Sequence, residues 1–395
     1  MSFISSTQPK RLQMMQQLIA TPSVSCVDAS IDQSNLPVIH LLANWLTDLG
    51  FKTEEVTVAE GKANLIATLG SDNSSGAGGL ILAGHTDTVP YDEERWQHNP
   101  FKLTEDNGKF YGLGTSDMKA FLALAIEAAI SFNACDYKQP LIILATSDEE
   151  TTMAGAKALV NASKPSARYA VIGEPTGMQP IRMHKGIMME AIRITGLAGH
   201  SSNPAYGHNA LEAMHKVIAE LMLWRDELQQ QYTNNLFEVP VPTMNFGHIH
   251  GGDNPNRICG ACELHIDIRP LPGMNLLDLR QQLNARLQKV MPEHGFTLEA
   301  RPLFSGTQAM ETPAESALVK AVEKLTGSTA GSVAFGTEAP YLTELGIDTI
   351  VLGPGDIAQA HQPDEYLDID RIEPTVELLK KLIHKFCVNP AINKK

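Results

Sequence analysis

Five short runs of consecutive apolar residues constrain the fold of this chain more than any other feature. They are "ANLIATL", "GLILAGH", "PLIILATS", "YAVIG" and "IDTIVLGPG". Apolar residues at consecutive positions, instead of alternate ones, are typical of strands that helices cover on both faces. Helical patterns at 118–130 and 154–161 separate several of these runs. The pattern predicts an α/β fold whose sheet is mostly parallel, with helices on both faces.

The pattern changes near residue 184, where alternation replaces consecutive apolar positions. "IMMEAIRITG" and "ELHIDIRP" alternate as strands with one wet face do, and helical patterns at 209–230 and 276–290 accompany them. A chain of 395 residues also exceeds what one hydrophobic core usually supports. We therefore predict a catalytic domain at 1–183 and 296–395, with a smaller α+β domain inserted at 184–295.

Charge and cysteine content restrict the partners and the compartment. Lys and Arg number 31 against 45 Asp and Glu, a net charge of −14, whereas a nucleic-acid surface requires a basic face. The N-terminus lacks a signal-peptide core, and no run of 18 apolar residues occurs. The five cysteines are scattered and odd in number, as is typical of reduced thiols. We expect a cytoplasmic protein that binds neither nucleic acid nor membrane.

Histidines and carboxylates follow the predicted strands at the point where each strand ends. "LILA" leads into Gly84-His85, "LIILATS" into Asp148-Glu149-Glu150, and "YAVIG" into Glu174, while His361 follows "IVLGPG" within ten residues. Ligands of open α/β sheets bind beyond the carboxyl ends of the strands. We therefore expect these side chains to converge at one edge of the sheet.

Asp117 completes a set of two histidines and three carboxylates. It precedes the predicted helix at 118–130, where a helix N-terminus favours a carboxylate. These donor types suit zinc, cobalt or manganese, and one shared carboxylate holds two ions about 3.5–4 Å apart. We assign two divalent metal ions, zinc with cobalt able to substitute. The predicted ligands are His85, Asp117 and Glu174 for one ion, and Asp117, Glu150 and His361 for the other.

Asp87 and Glu149 each stand beside a predicted ligand without being needed as one. A metal-bound imidazole usually donates its other N–H to a carboxylate, and Asp87 lies two residues after His85. Adjacent residues point in different directions, so Glu149 can face the water between the ions while Glu150 binds metal. We predict that Glu149 is the general base that deprotonates this water.

Each of these residues, taken alone, has a more ordinary role. His85 or His361 alone is more often a core or surface histidine, Asp117 alone an N-cap, and "DEE" alone a solvated turn. A protein that binds metal or amino acid without catalysis is a further alternative, but it would not need Glu149. The joint position of these residues after buried strands favours a catalytic site.

Three other motifs carry weaker metal or nucleotide alternatives. Cys259 and Cys262 lack the second pair that a zinc ribbon needs, and their spacing on a strand would place the thiols on opposite faces. His248 and His250 of "GHIHGG" share a strand face, yet no carboxylate cluster accompanies them in the sequence. "GAGG" at 76–79 precedes a strand instead of following one, which is the wrong context for a dinucleotide loop.

The motifs "GHTDTVP", "GLGTSDMKA", "ATSDEETTMAGA" and "IGEPT", in this order, resemble the dinuclear-zinc aminoacylase and carboxypeptidase family. "HKG" and "GLAGHSS" resemble the smaller domain of that family, so the resemblance spans nearly the whole chain. It implies the metal assignment given above, with Asp87 and Glu149 as catalytic carboxylates that are not ligands. Ala120 departs from the family pattern, which usually has glycine there.

The resemblance also implies an assembly and a set of substrate contacts. The smaller domain would mediate a homodimer, and a histidine at the position of His200 would reach the oxyanion from the partner subunit. Asn256 and Arg269 match positions that contact substrate, and the guanidinium fork of Arg269 suits the substrate α-carboxylate.

The implied reaction is hydrolysis of the N-acyl bond of a small-molecule N-acyl amino acid. "GHIHGGDNPNRICGACELHIDIRPLPGM", "GTEAP" and "LGPGDIAQAHQPDEY" look most like the members that act on N-acetyl-L-ornithine, whose side-chain amine needs an acidic partner. Thr337 and Glu338 of "GTEAP" are predicted substrate residues, and Asp364 and Glu365 are alternative acids for the amine. The alternative substrates are succinyl-diaminopimelate, other N-acetyl amino acids, or a dipeptide.

Overall fold

The computed structural model describes residues 10–70, 78–290 and 294–390. The chain divides into two compact units. The first comprises the described residues of Met1–Arg182, Thr312–Gly331 and Thr337–Lys395, and the second comprises Met183–Glu311 and Ser332–Gly336. The segment 296–311, which we expected in the catalytic domain, thus lies in the second unit.

The strands of the described residues are, in chain order, β1 (Lys52–Ala59), β2 (Lys62–Leu69), β3 (Leu80–His85), β4 (Thr104–Asp106), β5 (Lys109–Tyr111), β6 (Leu141–Thr146), β7 (Tyr169–Ile172), β8 (Ile181–His184), β9 (Met188–Thr195), β10 (Thr243–Gly251), β11 (Ala261–Arg269), β12 (Thr297–Pro302), β13 (Met310–Glu311), β14 (Gly331–Val333), β15 (Asp348–Val351) and β16 (Tyr366–Asp368).

The α-helices of the same residues are α1 (Arg11–Ile19), α2 (Leu36–Asp48), α3 (Lys119–Ala129), α4 (Ala154–Ala162), α5 (Ala210–Gln231), α6 (Leu276–Val290), α7 (Ala317–Thr326), α8 (Ala339–Glu344) and α9 (Ile372–Ile383).

The sheet of the first unit has parallel strands at its centre and antiparallel strands beside them. Its order runs β1-β2-β6-β3-β7-β15, and β6, β3, β7 and β15 are mutually parallel. β1 and β2 are antiparallel, β2 is antiparallel to β6, and β8 meets β15 in antiparallel pairing at Ile181. The predicted α/β class is confirmed, with a mixed sheet whose parallel part carries the strand ends of interest.

Helix α3 forms the centre of the core in the first unit. Its sequence, "KAFLALAIEAA", is buried at every position except Glu127, because α3 packs between β3, α1 and α9. Strands β3 and β6 are buried along their whole length. Helices on the sheet therefore exclude water from both strands, which is the arrangement that consecutive apolar residues predict.

A small three-stranded sheet joins two distant segments of the first unit. Its order is β16-β5-β4, and Tyr366 in β16 pairs with Tyr111 in β5. Just before this pair, the backbone N–H of Gly112 donates to the carbonyl of Glu365 at 3.0 Å. The chain that leaves β5 towards Asp117 is thereby fixed against the chain that follows His361.

The second unit contains a four-stranded antiparallel sheet ordered β10-β11-β9-β12. Helices α5 and α6 bury the face that carries Leu264, Ile266 and Ile268. Cys259 and Cys262 both lie in this core, because Cys259 precedes β11 instead of belonging to it. The expectation that the two thiols lie on opposite faces of a strand is therefore wrong.

Some sequence expectations fall on residues that the structure does not describe. Residues 1–9, which belong to the stretch assessed for a signal peptide, and residues 76–77 of "GAGG" lie outside the described ranges. Within the ranges that are described, no helix has both the length and the apolar composition needed to cross a bilayer.

Gly173 provides a test of how closely α3 packs on the sheet. A Cβ atom at this position, directly after β7, would overlap the ring of Phe121 on α3. We expect Gly173→Ala to lower the free energy of unfolding by about 1–3 kcal/mol, because an overpacked core must shift its backbone or rotamers. Urea unfolding followed by circular dichroism measures the change.

Gly331→Ala is the matched control for Gly173→Ala. A Cβ at Gly331 would meet only the Cδ1 atom of Ile181, at 3.9 Å, an ordinary van der Waals contact. We expect this variant to remain within about 0.5 kcal/mol of the unmodified chain. Equal unfolding midpoints for the two variants would contradict the close packing at Gly173.

Candidate metal centre

Three neighbouring parallel strands deliver their terminal residues to one edge of the sheet. His85 is the last residue of β3, Glu149 and Glu150 follow β6, and Glu174 follows β7. The order β6-β3-β7 places His85 between the two groups of carboxylates. The carboxyl ends of parallel strands share an edge of the sheet, so these groups converge as the α/β rule requires.

Asp117 lies between the two histidines. Its Oδ1 is 3.0 Å from Nε2 of His85, and its Oδ2 is 3.7 Å from Nε2 of His361. His361 is also 3.0 Å from Oε2 of Glu150, and His85 is 4.0 Å from Oε1 of Glu174. One carboxylate thus faces both imidazoles, with a further carboxylate beside each.

The donor atoms fall into two groups whose members lie within 4.8 Å of one another. One group is His85, Asp117 and Glu150, and the other is His85, Glu149 and Glu174. These groups share His85, whereas the two ligand sets predicted from the sequence share Asp117. Glu149, predicted as a base, is therefore as near to His85 and Glu174 as a ligand would be.

Asp87 connects His85 to Glu150 by its backbone and its side chain. Nδ1 of His85 lies 3.0 Å from the backbone carbonyl oxygen of Asp87 and 3.7 Å from its Oδ1. The backbone carbonyl, and not the predicted carboxylate, is the nearer acceptor for the imidazole N–H. The Oδ2 atom of Asp87 instead accepts the backbone N–H of Glu150 at 3.1 Å.

The buried charges at this edge shift one another's pKa values. Burial raises the pKa of Glu174 well above its usual range, and the neighbouring Asp117 charge raises it further. Burial likewise raises the pKa of Glu149, with the Glu174 charge acting in the same direction. Burial alone would lower the pKa of His85, but the hydrogen bond to Asp117 holds it well above its ordinary value. The carboxylates therefore favour positive charge at this edge.

These residues fit the divalent ions that the sequence predicts. Imidazole and carboxylate donors suit zinc and similar metals. Among the described residues, Oδ1 of Asp87 and Oε1 of Glu174 are buried without a hydrogen-bond partner, an arrangement that costs free energy unless a cation or donor faces them. Nε2 of His85 faces Asp117 while its Nδ1 is taken by the backbone, so one nitrogen is directed to the cluster.

Of the three acids predicted for the substrate amine, Glu338 differs from the other two. Asp364 accepts the backbone N–H groups of Gln97 and His98, and both carboxylate oxygens of Glu365 face backbone N–H groups. Glu338 accepts the hydroxyl of Thr146 at 2.8 Å through Oε2, while its buried Oε1 has no partner among the described residues. Burial raises the pKa of Glu338 to about 7.

The remaining predicted substrate residues lie on both units. Thr337 is buried and directly precedes Glu338 in the first unit. His200, Asn256 and Arg269 belong to the second unit. There the backbone of His200 bridges Arg257, and the N–H of Ser201 donates to the carbonyl of Asn256, so the "GHSS" and "NPNR" segments lie side by side. Nε of Arg269 donates to Asp267 at 3.0 Å.

Two buried lysines in segments next to site residues were not predicted from the sequence. Lys62 donates to Asp32 at 2.8 Å and to Asp148 at 2.9 Å, and Asp148 has a left-handed backbone with φ of 55° directly before Glu149. Lys119 donates to the carbonyl of Thr21 at 2.8 Å, and burial lowers its pKa to about 7. The sequence signal for Lys119 is its place in "SDMKA"; Lys62 has none, since a lysine that begins a strand is unremarkable.

Comparison with known proteins places the chain among metal-dependent hydrolases. The profile of "Peptidase family M20/M25/M40" matches residues 81–385. Acetylornithine deacetylase from Pasteurella multocida is 51% identical over 96% of this chain and 98% of its own length, and that from Proteus mirabilis is 52% identical over 96% and 97%. The crystal structure of an M20 family metallo-carboxypeptidase from Sulfolobus solfataricus, 18% identical, has a TM-score of 0.74 over 95% of this chain and 98% of that one. The family resemblance of the motifs is confirmed, and the chain belongs to peptidase family M20/M25/M40.

Proposed function

We propose that this chain catalyses the metal-dependent hydrolysis of N-acetyl-L-ornithine to L-ornithine and acetate, a step of arginine biosynthesis. One observation carries the reaction class: Asp117 faces both His85 and His361, with Glu149 and Glu150 at the same sheet edge. The substrate assignment is supported by relatives about half identical over nearly their whole length, which are named acetylornithine deacetylase.

The residues proposed to hold two divalent ions, zinc with cobalt able to substitute, are His85, Asp117, Glu150, Glu174 and His361. Oε1 of Glu174, which is buried and has no hydrogen-bond partner in the described part of the chain, supports this proposal because its charge needs compensation. When bound, such ions lower the pKa of a water molecule and polarise a carbonyl group. Asp87 would orient His85 through its backbone carbonyl and Glu150 through its carboxylate.

Glu149 is the proposed general base and acid. Its carboxylate lies within 4.8 Å of donor atoms of His85 and Glu174, beside the cluster where the attacking water would stand. Burial and the nearby Glu174 charge raise its pKa, so it takes up a proton more readily than an ordinary glutamate. Glu149 would accept the proton of the water and deliver it to the leaving amine nitrogen of ornithine.

Substrate orientation is proposed to depend on groups outside the metal cluster. Glu338 would bind the side-chain ammonium of the substrate, because its buried Oε1 lacks a partner among the described residues and a cation stabilises its ionised form. Thr337 precedes it. Arg269 would bind the α-carboxylate and Asn256 a polar group of the substrate. His200 would stabilise the oxyanion from the partner subunit of a homodimer.

Two observations support the proposed homodimer and compartment. Large apolar side chains of the second unit are exposed, among them Leu197, Tyr206, Leu211 and Ile249, and apolar surface of this kind favours association. All five cysteines are unpaired, which suits the reducing cytoplasm that we propose as the compartment.

The substrate proposal predicts a ranking of rates. The purified chain loaded with zinc should release amine from N-acetyl-L-ornithine faster than from succinyl-diaminopimelate, N-acetyl-L-methionine or a dipeptide, and a chelator should abolish turnover. Because three of these substrates already carry a free amine, liquid chromatography that separates each substrate from its product measures each kcat/KM. A higher kcat/KM for any of the other three would assign that substrate instead, and turnover that survives removal of metal would refute the metal-dependent mechanism.

The roles proposed for Glu149 and Glu150 predict different effects of their substitution on metal content. Glu149→Ala should retain the metal content of the unmodified chain and lose about 10²- to 10⁴-fold in kcat, because a positioned base contributes that much. Glu150→Ala should lose metal, since its Oε2 faces His361. Metal analysis of the dialysed proteins distinguishes the two. Loss of metal from Glu149→Ala with retention by Glu150→Ala would mean that the roles are exchanged.

Removal of the Glu338 charge should affect cationic substrates selectively. We expect Glu338→Gln to raise KM for N-acetyl-L-ornithine by about 10- to 100-fold, which is what one charge-assisted hydrogen bond is worth. KM for N-acetyl-L-methionine, which has no ammonium, is the internal control and should change little. Equal changes of KM for both substrates would remove Glu338 from this role.

A further inference from the structure

Glu365 is a buried carboxylate that receives its hydrogen bonds from the segment carrying Asp117. Oε1 accepts the backbone N–H of Ser116 at 2.6 Å and that of Asp117 at 2.9 Å. Oε2 accepts the backbone N–H of Gly114 at 3.0 Å. The side chain therefore binds three donors of one loop, including the N–H of Asp117 itself.

The backbone of Glu365 also binds the start of the same loop. Its carbonyl oxygen accepts the N–H of Gly112, the residue after β5, at 3.0 Å. One residue thus contacts the chain from the end of β5 to Asp117. The loop lies between β5 and α3, which begins at Lys119, and it is also held where the Oγ atom of Ser116 accepts the backbone N–H of Asp356 at 2.8 Å.

Glu365 also belongs to the segment that carries His361, four residues earlier. His361 has a left-handed backbone, with φ of 59°, and its side chain is more than half exposed. Because more than half of the side chain is exposed, packing alone does not fix the imidazole. The hydrogen bonds of Glu365 join this segment to the loop of Asp117, and β16 begins at the next residue.

We propose that Glu365 is a positioning residue that fixes the distance between Asp117 and His361, and so sets the metal affinity of the position between them. It contacts no reacting atom, because its oxygens face backbone N–H groups. The inference rests on the proposed function, since it concerns the metal centre proposed there. It differs from that proposal in assigning the role to a residue outside the donor set.

Glutamate is required for a chemical reason. A carboxylate is an acceptor at both oxygens, whereas a glutamine amide offers one acceptor oxygen and an NH₂ donor. In Glu365→Gln one end of the side chain would place an N–H against an N–H. The substitution keeps the volume but breaks one side of the hydrogen-bonded cradle, so the loop that carries Asp117 must shift.

The adjacent Asp364 supplies a matched control. Its carboxylate also accepts backbone N–H groups, those of Gln97 at 3.0 Å and His98 at 2.9 Å, but this loop contains no residue of the proposed metal centre. Asp364→Asn and Glu365→Gln thus change neighbouring carboxylates in the same way. They differ in the loop that each carboxylate holds and in the oxygens used, since Oδ1 of Asp364 accepts both backbone N–H groups while Glu365 uses both of its oxygens. Asp364→Asn therefore controls for removal of a neighbouring carboxylate charge.

The test measures metal affinity directly, apart from turnover. Metal-free full-length protein is titrated with Zn²⁺ in competition with a chromophoric chelator, for the unmodified chain, Glu365→Gln and Asp364→Asn. We expect Glu365→Gln to weaken Zn²⁺ binding by about 10- to 100-fold, as loss of a group that orients a ligand does, and Asp364→Asn to remain within about twofold. For Glu365→Gln, saturating Zn²⁺ should restore a large part of kcat, with KM unchanged.

Every outcome decides between the proposals. Glu365→Gln that folds and binds Zn²⁺ as the unmodified chain does would overturn the inference alone, as would equal weakening by Asp364→Asn. Absence of Zn²⁺ binding by the unmodified chain would overturn the proposed function and the inference with it. If circular dichroism shows that Glu365→Gln is unfolded, Glu365→Asp, which keeps both acceptors but is shorter, is titrated in its place. Weaker binding by that variant supports the inference, and unchanged binding refutes it.

Discussion

The compensation of buried negative charge is the constraint on which the rest of the structure depends. Several carboxylates lie together at one buried edge of the sheet, and each is costly to ionise there. Asp87, Asp117, Glu174, Glu338 and Glu365 are all buried there. Placing like charges in a dry environment disfavours each ionised form, and burial is the largest cause that raises the pKa of Glu174, Glu338 and Glu365. The fold accepts this cost only because most of the charges have specific compensation. The few carboxylate oxygens that lack such compensation are the ones free to bind a cation.

The charges of these acids are compensated in three ways, and each way leaves the acid with a different role. Glu365 is satisfied by backbone N–H groups, so it serves structure. Asp117 forms a hydrogen bond with His85 and lies 3.7 Å from Nε2 of His361, an arrangement that metal ions can replace because every member is a ligand type. Oε1 of Glu338 has no partner among the described residues, which leaves it open to a cation from outside. The roles of the acids therefore follow from what surrounds each one, and not from residue type.

The sequence predicts this site better than it predicts its supports. Consecutive apolar residues in β3, β6 and β7 were sufficient to predict parallel strands. The ends of these strands then predicted that His85, Glu149, Glu150 and Glu174 lie together. Strand β1 lacks the run of consecutive apolar residues, because its sequence "KTEEVTVA" lies largely exposed at the sheet edge.

The roles of Lys62 and Glu365 were not predictable from spacing, because their partners lie 86 and 248 residues away. Contacts over such separations are set by tertiary packing, which no local pattern reports. The backbone carbonyl of Asp87 was missed for a simpler reason: a side chain that could accept the imidazole N–H stood at the same residue.

Asp87 has one more consequence, which concerns mechanical coupling. Its carbonyl oxygen holds one ring nitrogen of His85, and its carboxylate holds the peptide nitrogen of Glu150, so a single residue tethers donors that come from separate strands. We therefore expect a tilt of the imidazole to shift the turn that carries Glu150, and a shift of that turn to tilt the imidazole. We expect a rearrangement of His85 to affect Glu150, and the reverse, because a path of two hydrogen bonds through Asp87 joins them.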